Sequence, residues 1–395
     1  MLDHLIQPSL LISLILDMGN YCVFLILFII VKEKKMIGGN LFILSGVMML
    51  SPFFVNGLII SWIEFPDQSK YLLYSQEIRS NIFSTRNIFF SNFEGNQISL
   101  QDLALKVKIS SSIFAISPLI SIENFKSVGF LNRAIFVITL IFFIKKTDLP
   151  LYIKLFFILS PSLIIYSSVT LRDNLVLVFL IWSLYFFLKK YYFRLIITLI
   201  LLFYIKIQNF FIVIMLFYII SLFTVSKFKK FKFSNIIFLL TIILISSLFI
   251  DQIFEVANSA REGLYVEQNG FYKSGTAVRL YEPLILNSSF FILWIKQSLI
   301  YIISPLGNFY SVFHVVTFME TVITYFCFYY IFVRDFKIKK LKNIVKSWVL
   351  FFIASTLTYS LFMFNDGMIA RNRFIWLYFI LIGYEIHKNI YLKKL

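Results

Sequence analysis

Several short polar elements interrupt a strongly apolar chain, and each holds residue types that can do chemistry. Glu64-Phe-Pro-Asp67-Gln-Ser-Lys-Tyr71 sets a carboxylate one helical turn before a phenol. Such a pair could serve as a base or bind a polar ligand. It could equally start a helix, since Pro66 and Asp67 suit a first helical turn. Ser160-Pro-Ser leads through Tyr166, Ser167, Ser168 and Thr170 to Arg172-Asp173-Asn174. A guanidinium offers a planar fork of donors that matches phosphate. Arg172 and Asp173 are expected to pair, because neither charge sits cheaply in hydrocarbon. The competing reading is a structural ion pair that starts the next helix.

Asn365-Asp-Gly-Met-Ile-Ala-Arg371-Asn-Arg373 sets two arginines two positions apart, a candidate clamp for a diphosphate. Interfacial snorkelling explains them as well. Arg261 and Arg279 belong to a glycine-containing polar stretch that suits either a folded loop over a cavity or an ordinary connection. His314, Glu320 and Lys206 lie within apolar runs, where ionisable groups are functional candidates by default. His4, His314 and His387 are far apart and make no metal-ligand spacing. No metal and no cofactor is expected. Cys22 and Cys327 lie in apolar runs and read as small hydrophobes. Phosphate-binding loops, zinc-protease motifs and nucleophile elbows are absent.

The elements that must position these residues are membrane helices. Of 395 residues 59% are hydrophobic and 14% charged, with mean hydropathy +0.85. Soluble domains are about 25% charged. A spanning helix needs about 20 mostly apolar residues, and in lipid each segment must satisfy its own backbone. The apolar runs predict an all-α polytopic membrane protein with about eleven spans: 8–31, 36–63, 129–144, 150–168, 174–188, 194–205, 208–224, 235–250, 307–333, 347–364 and 374–387. Segments 110–122 and 288–303 are apolar but short, and are expected to be re-entrant or interfacial. Lys206, Gln208 and Asn209 mark the turn of a hairpin. The chain reads as one integral membrane domain, 1–395, with two long polar loops at 64–109 and 251–287.

Charge sets the expected orientation. Six basic clusters, from Lys32–Lys35 to the C-terminus, hold 21 of the 37 basic residues and account for the whole net charge of +17. Lys and Arg concentrate on the cytoplasmic side. With an outside N-terminus, every cluster falls inside, the C-terminus is cytoplasmic and both loops are extracytoplasmic. Nucleic-acid binding is not indicated, because the basic residues rim a membrane.

The arrangement resembles bacterial membrane proteins that assemble surface polysaccharides, the O-antigen polymerase (Wzy) family and related multi-span glycosyltransferases. Four elements carry the resemblance: Asp67 to Tyr71 after an early span, Pro161 to Asp173 before a span, Pro305 with Glu320 in the late half, and Gly367 to Arg373 before the last span. The resemblance implies a polymerase in the bacterial inner membrane acting on undecaprenyl-diphosphate-linked oligosaccharide at its periplasmic face. It implies Asp67, Arg172, Asp173, His314 and Glu320 as catalytic candidates. Tyr71, Lys206, Arg261, Arg279, Arg371 and Arg373 would bind substrate. Membrane lipids and a chain-length regulator would be its other partners. Two rival readings stand beside it, a glycosyltransferase using a polyprenyl-phosphate sugar and a lipid-linked oligosaccharide flippase.

Overall fold

A computed structural model describes residues 10–59, 67–82, 105–122, 124–224, 290–304, 312–362 and 366–393, with isolated positions between 255 and 285. Every regular element among them is helical. The chain divides into two compact units, one of Met1–Phe210 with Asn389–Leu395 and one of Phe211–Lys388.

The first unit begins with α1 (Leu10–Glu33), followed by α2 (Gly39–Met48) and α3 (Ser51–Phe54), which runs into a π-turn at Val55–Ile59. The run expected as one span over 36–63 is therefore broken near Met49, with Pro52 in the first turn of α3. Next come α4 (Asp67–Ile82), α5 (Leu105–Ala115), α6 (Phe125–Lys146), α7 (Leu151–Leu159) and α8 (Pro161–Ser168). The unit continues with α9 (Asp173–Lys189) and α10 (Tyr192–Ile205), and α11 (Ile207–Thr224) leads out of it. Pro161 has no N–H to continue α7. Ser160 accepts from the Leu163 amide instead (3.2 Å), and α7 and α8 meet at a 51° bend. At Lys206, where a hairpin turn is expected, a single non-helical residue separates α10 from α11.

The second unit holds α12 (Phe290–Ile303), α13 (Val312–Phe336), α14 (Lys342–Phe362) and most of α15 (Asp366–Leu392). Tyr301 of α12 stacks on Tyr359 of α14 at 5.6 Å and meets the edge of Trp376 of α15. Trp294 donates to the Leu357 carbonyl (2.9 Å), and Ser298 bonds Ser360 (2.8 Å).

Among the described residues four helices are long and apolar enough to cross a membrane: Ile12–Glu33, Phe125–Lys146, Val315–Phe336 and Lys342–Leu361. The bent pair α7–α8 makes a fifth if counted as one span. The described residues are thus all-helical in their regular structure, with apolar helices of the membrane type, and fall short of eleven full spans. The expected span 235–250 lies outside the described residues. The stretch 64–109 is more than a polar loop, since it contains α4 and the start of α5.

Gly129 shows how tightly the first unit is packed. A Cβ there would lie 2.2 Å from the Ser168 carbonyl oxygen, which is backbone and cannot swing aside. Gly129→Ala therefore forces α6 away from the end of α8. The expected cost is about 1–3 kcal/mol, read as a fall of several degrees in melting temperature by fluorescence-detected gel filtration. An Ala that leaves the melting temperature unchanged would show that this close approach does not exist.

Candidate functional site: paired helix breaks in the first unit

Between α8 and α9 the chain leaves the helix at Val169 and resumes it at Asp173, with Ser168, Val169, Thr170 and Leu171 all buried. A buried stretch of non-helical backbone must find partners for its polar groups. The Val169 carbonyl accepts from Leu171 N (2.9 Å) and from Asn132 Nδ2 (2.7 Å). Asn132 also donates to the Leu171 carbonyl (2.8 Å). Asn56 donates to the Ser168 carbonyl (3.2 Å), and Thr170 Oγ1 donates to that of Phe125 (2.8 Å). The Thr170 amide donates to Gln68 Oε1 of α4 (3.0 Å). Three of these partners are side-chain amides placed by other helical segments: Asn132 of α6, Asn56 of the π-turn and Gln68 of α4.

A second break lies beside this one. Arg172 Nη1 donates to the carbonyl of Ile205, the last residue of α10 (3.0 Å). Lys206 Nζ stands 3.7 Å from Asp173 Oδ1, with 11% and 3% of the two side chains exposed. The expected Arg172–Asp173 pair is thereby corrected. Asp173 is the first residue of α9, so its side chain points toward the following break, while Arg172 serves the end of α10. The sequence-predicted residues Arg172, Asp173 and Lys206 do come together.

Asp67 and Tyr71 lie on α4, as the helix-start reading of that element has it. Asp67 opens the helix, and its side chain is outside the described residues. Tyr71 is buried with its ring edge on Phe114 of α5 (6.4 Å). α4 therefore brings this element to the break through Gln68.

Asp17 and Asn20 of α1 extend the polar region. Asp17 accepts from Asn124 Nδ2 (3.2 Å) and Ser127 Oγ (3.1 Å) at the start of α6. Asn20 accepts from the Ile120 amide (2.8 Å) and donates to the Ser121 carbonyl (2.9 Å), as a paired strand would. The starts of α1, α6 and α9 are thus joined at one end. Lys32, Lys145, Lys146 and Lys189 lie in the last turns of these same helices. From Asn132 to Lys145 is about 20 Å of helix. Polar network and basic residues occupy opposite ends of the bundle. The C-terminus joins the basic end, where Asn389 donates to the Thr147 carbonyl (3.0 Å) and Lys393 pairs with Asp148. Asp148 is exposed there, and Lys393 beside it holds its carboxyl below the usual range.

In the second unit, Arg371 and Arg373 are on α15 and not in a loop before it. Residues two apart on a helix do not share a face. Arg373 is buried, and its Nη1 donates to the carbonyls of Ser304 and Ile302 (3.2 Å for the latter) at the end of α12. Arg371 is half-buried. Glu320 of α13 accepts from the Tyr378 hydroxyl of α15. His314 lies in the first turn of α13, and its side chain is outside the described residues, as are Arg261 and Arg279 altogether. Nearer the end of α15, Lys388 pairs with Asp335 (3.0 Å) and Glu385 (2.7 Å), and Tyr384 also donates to Asp335 (2.8 Å).

No family model, no curated protein and no solved structure matches this chain. The geometry stands by itself.

Sequence reasoning passed over Arg133. It is buried beside Asn132, donating to the carbonyl of Met48 at the end of α2 (2.9 Å) and to Ser167 Oγ (2.6 Å). The available signal was two adjacent polar residues inside an apolar run. No group of three or more His, Cys, Asp or Glu suited to a metal occurs among the described residues.

The Asp173–Lys206 pair generates a test that separates a needed charge from a needed shape. Removing one partner leaves the other charge poorly solvated, an expected cost of about 3–5 kcal/mol. Asp173→Asn or Lys206→Met should each lower the melting temperature in detergent, and the double variant should recover most of the loss. Single variants as stable as the parent would show the pair to be incidental.

Proposed function

We propose that this chain is a multi-pass protein of a bacterial cytoplasmic membrane that polymerises undecaprenyl-diphosphate-linked oligosaccharide on the outer face. The observation that carries the reading is the gathering of Arg172, Asp173 and Lys206 at two adjoining helix breaks. The breaks lie at the end of the bundle opposite Lys32, Lys145, Lys146 and Lys189. By the positive-inside rule the basic end, with the C-terminus, faces the cytoplasm. The breaks then lie toward the outer rim, where a substrate with a greasy tail, a diphosphate and a glycan presents its reacting atoms.

In the transfer, an acceptor sugar hydroxyl attacks the anomeric carbon of the donor glycan. A new C–O bond forms and the bond to the diphosphate oxygen breaks, so undecaprenyl diphosphate leaves with the electron pair. The hydroxyl proton passes to a base, for which Asp67 on α4 is the candidate. Arg172 and Lys206 offset charge on the departing diphosphate. Fixed charge of this kind acts strongly in a water-poor site. Arg371, Arg373, Glu320 and His314 remain candidates within the second unit, with Arg261 and Arg279 for the glycan.

One observation favours a second reading. Broken helices are the usual construction of transporter sites, so a flippase for the same lipid-linked glycan is the rival. Transporter breaks lie near the bilayer midplane. Here the breaks pack against Phe125 and Asn132, in the first half of α6, which favours a rim site.

Deletion of the gene in the source bacterium, with surface glycolipid resolved by gel, tests the proposal. Loss of the ladder with a single repeat unit retained is the expected result. Loss of the single unit as well would point to the flippase or to a single-sugar transferase, and an unchanged ladder would end the polysaccharide reading. In the complemented strain, Arg172→Ala at normal expression should cut polymer formation about 100-fold or more, the scale of losing one stabilising donor. Full-length polymer from that variant would remove Arg172 from the site.

A further inference from the structure

Two buried amides beside Thr170 each have one atom without a hydrogen-bond partner: Gln68 Nε2 and Asn132 Oδ1. Neither residue has any measurable exposure. Their orientation is fixed by the bonds they do make. Gln68 Oε1 takes the Thr170 amide, so its NH2 is the orphan. Asn132 Nδ2 serves the carbonyls of Val169 and Leu171, so its oxygen is the orphan. The same three-residue turn thus has an unused donor on one flank and an unused acceptor on the other. A hydroxyl group, which both accepts and donates, carries what each of them lacks. Buried polar groups are rarely left unsatisfied without a reason.

The cover over this turn is α4, a helix unlike its neighbours. It is polar along most of its length (DQSKYLLYSQEIRSNI) and presents Gln68, Tyr71, Leu72 and Ser75 inward. Long polar side chains fasten it to backbone on the segment before α6. Gln76 Nε2 donates to the Ile122 carbonyl (2.8 Å), and Arg79 Nη2 to that of Leu119 (2.5 Å). Such bonds exchange readily for bonds to water, and apolar burial on α4 centres on Tyr71 and Leu72, with Tyr71 against Phe114 of α5.

We propose that α4 is a lid that lifts from the α8–α9 break, and that Gln68 and Asn132 beneath it bind a hydroxyl group of a carbohydrate. The carbohydrate assignment rests on the polysaccharide reading above, whereas the lid does not.

The experiment uses the full chain in liposomes, with Cys22→Ser, Cys327→Ser and Thr170→Cys, and a water-soluble maleimide. Labelling at position 170 should be slow, and should speed up at least tenfold when Gln76→Ala and Arg79→Ala cut the fastenings. Lipid-linked oligosaccharide extracted from the deletion strain should slow labelling at least threefold, and undecaprenyl diphosphate without sugar should leave it unchanged. Ser75→Cys, on the inner face of α4, gives the same readout if Thr170→Cys does not fold. A rate indifferent to the fastenings overturns the lid. Absent protection, or equal protection by the sugar-free lipid, overturns the hydroxyl site. If deletion abolishes the ladder but the glycan gives no protection, the site alone has failed. If deletion leaves the ladder intact, the polysaccharide reading has failed whatever the lid does.

Discussion

A helix that stops inside a protein leaves carbonyls with no intrahelical partner, and in an apolar bundle no water replaces it. That constraint governs this structure, because several of its apolar runs are broken into short helices. The remedy recurs three times. Arg133 caps α2, Arg172 caps α10 and Arg373 caps α12, each donating to carbonyls at a helix end. A cation there also meets the negative end of the helix dipole. Arginine suits the task because its charge persists on burial and its several N–H groups serve more than one acceptor. The break between α8 and α9 is handled differently, by neutral amides from α3's π-turn, α4 and α6.

This constraint bears on how the polar residues are understood. An arginine in an apolar run can be a ligand for phosphate, or a cap, or both in turn, since a guanidinium has five N–H donors. Arg172 spends one on Ile205 and lies two residues from Thr170. Capping holds the guanidinium in place, which is what a binding group for a diphosphate would need. Structural and chemical roles therefore reinforce each other at the paired breaks.

The architecture was legible in parts. The apolar runs announce α1, α6, α13 and α14, and Lys206 with its polar neighbours announces the end of α10. Polarity around 160–174 points to the α8–α9 break, and Pro66 with Asp67 to the start of α4. What was not legible are the partners. Asn132 and Val169 are 37 positions apart, Asn56 and Ser168 112, and Gln68 and Thr170 102. One asparagine in an apolar run carries no mark of the backbone it will serve. Composition also fails to say where a long apolar run breaks when proline is not the whole cause. The pairing of Asp173 with Lys206 in place of Arg172 depends on side-chain direction at a helix start, which spacing does not encode.

The contact between Asn389 and the carbonyl of Thr147 spans 242 positions. Ribosomes add roughly 5–20 residues per second, so the turn after α6 waits on the order of tens of seconds for its partner. The first unit is not closed until Asn389 has been made. For that interval the α6–α7 turn is an unlatched joint, and synthesis of the end of α15, more than insertion of the early helices, completes the unit.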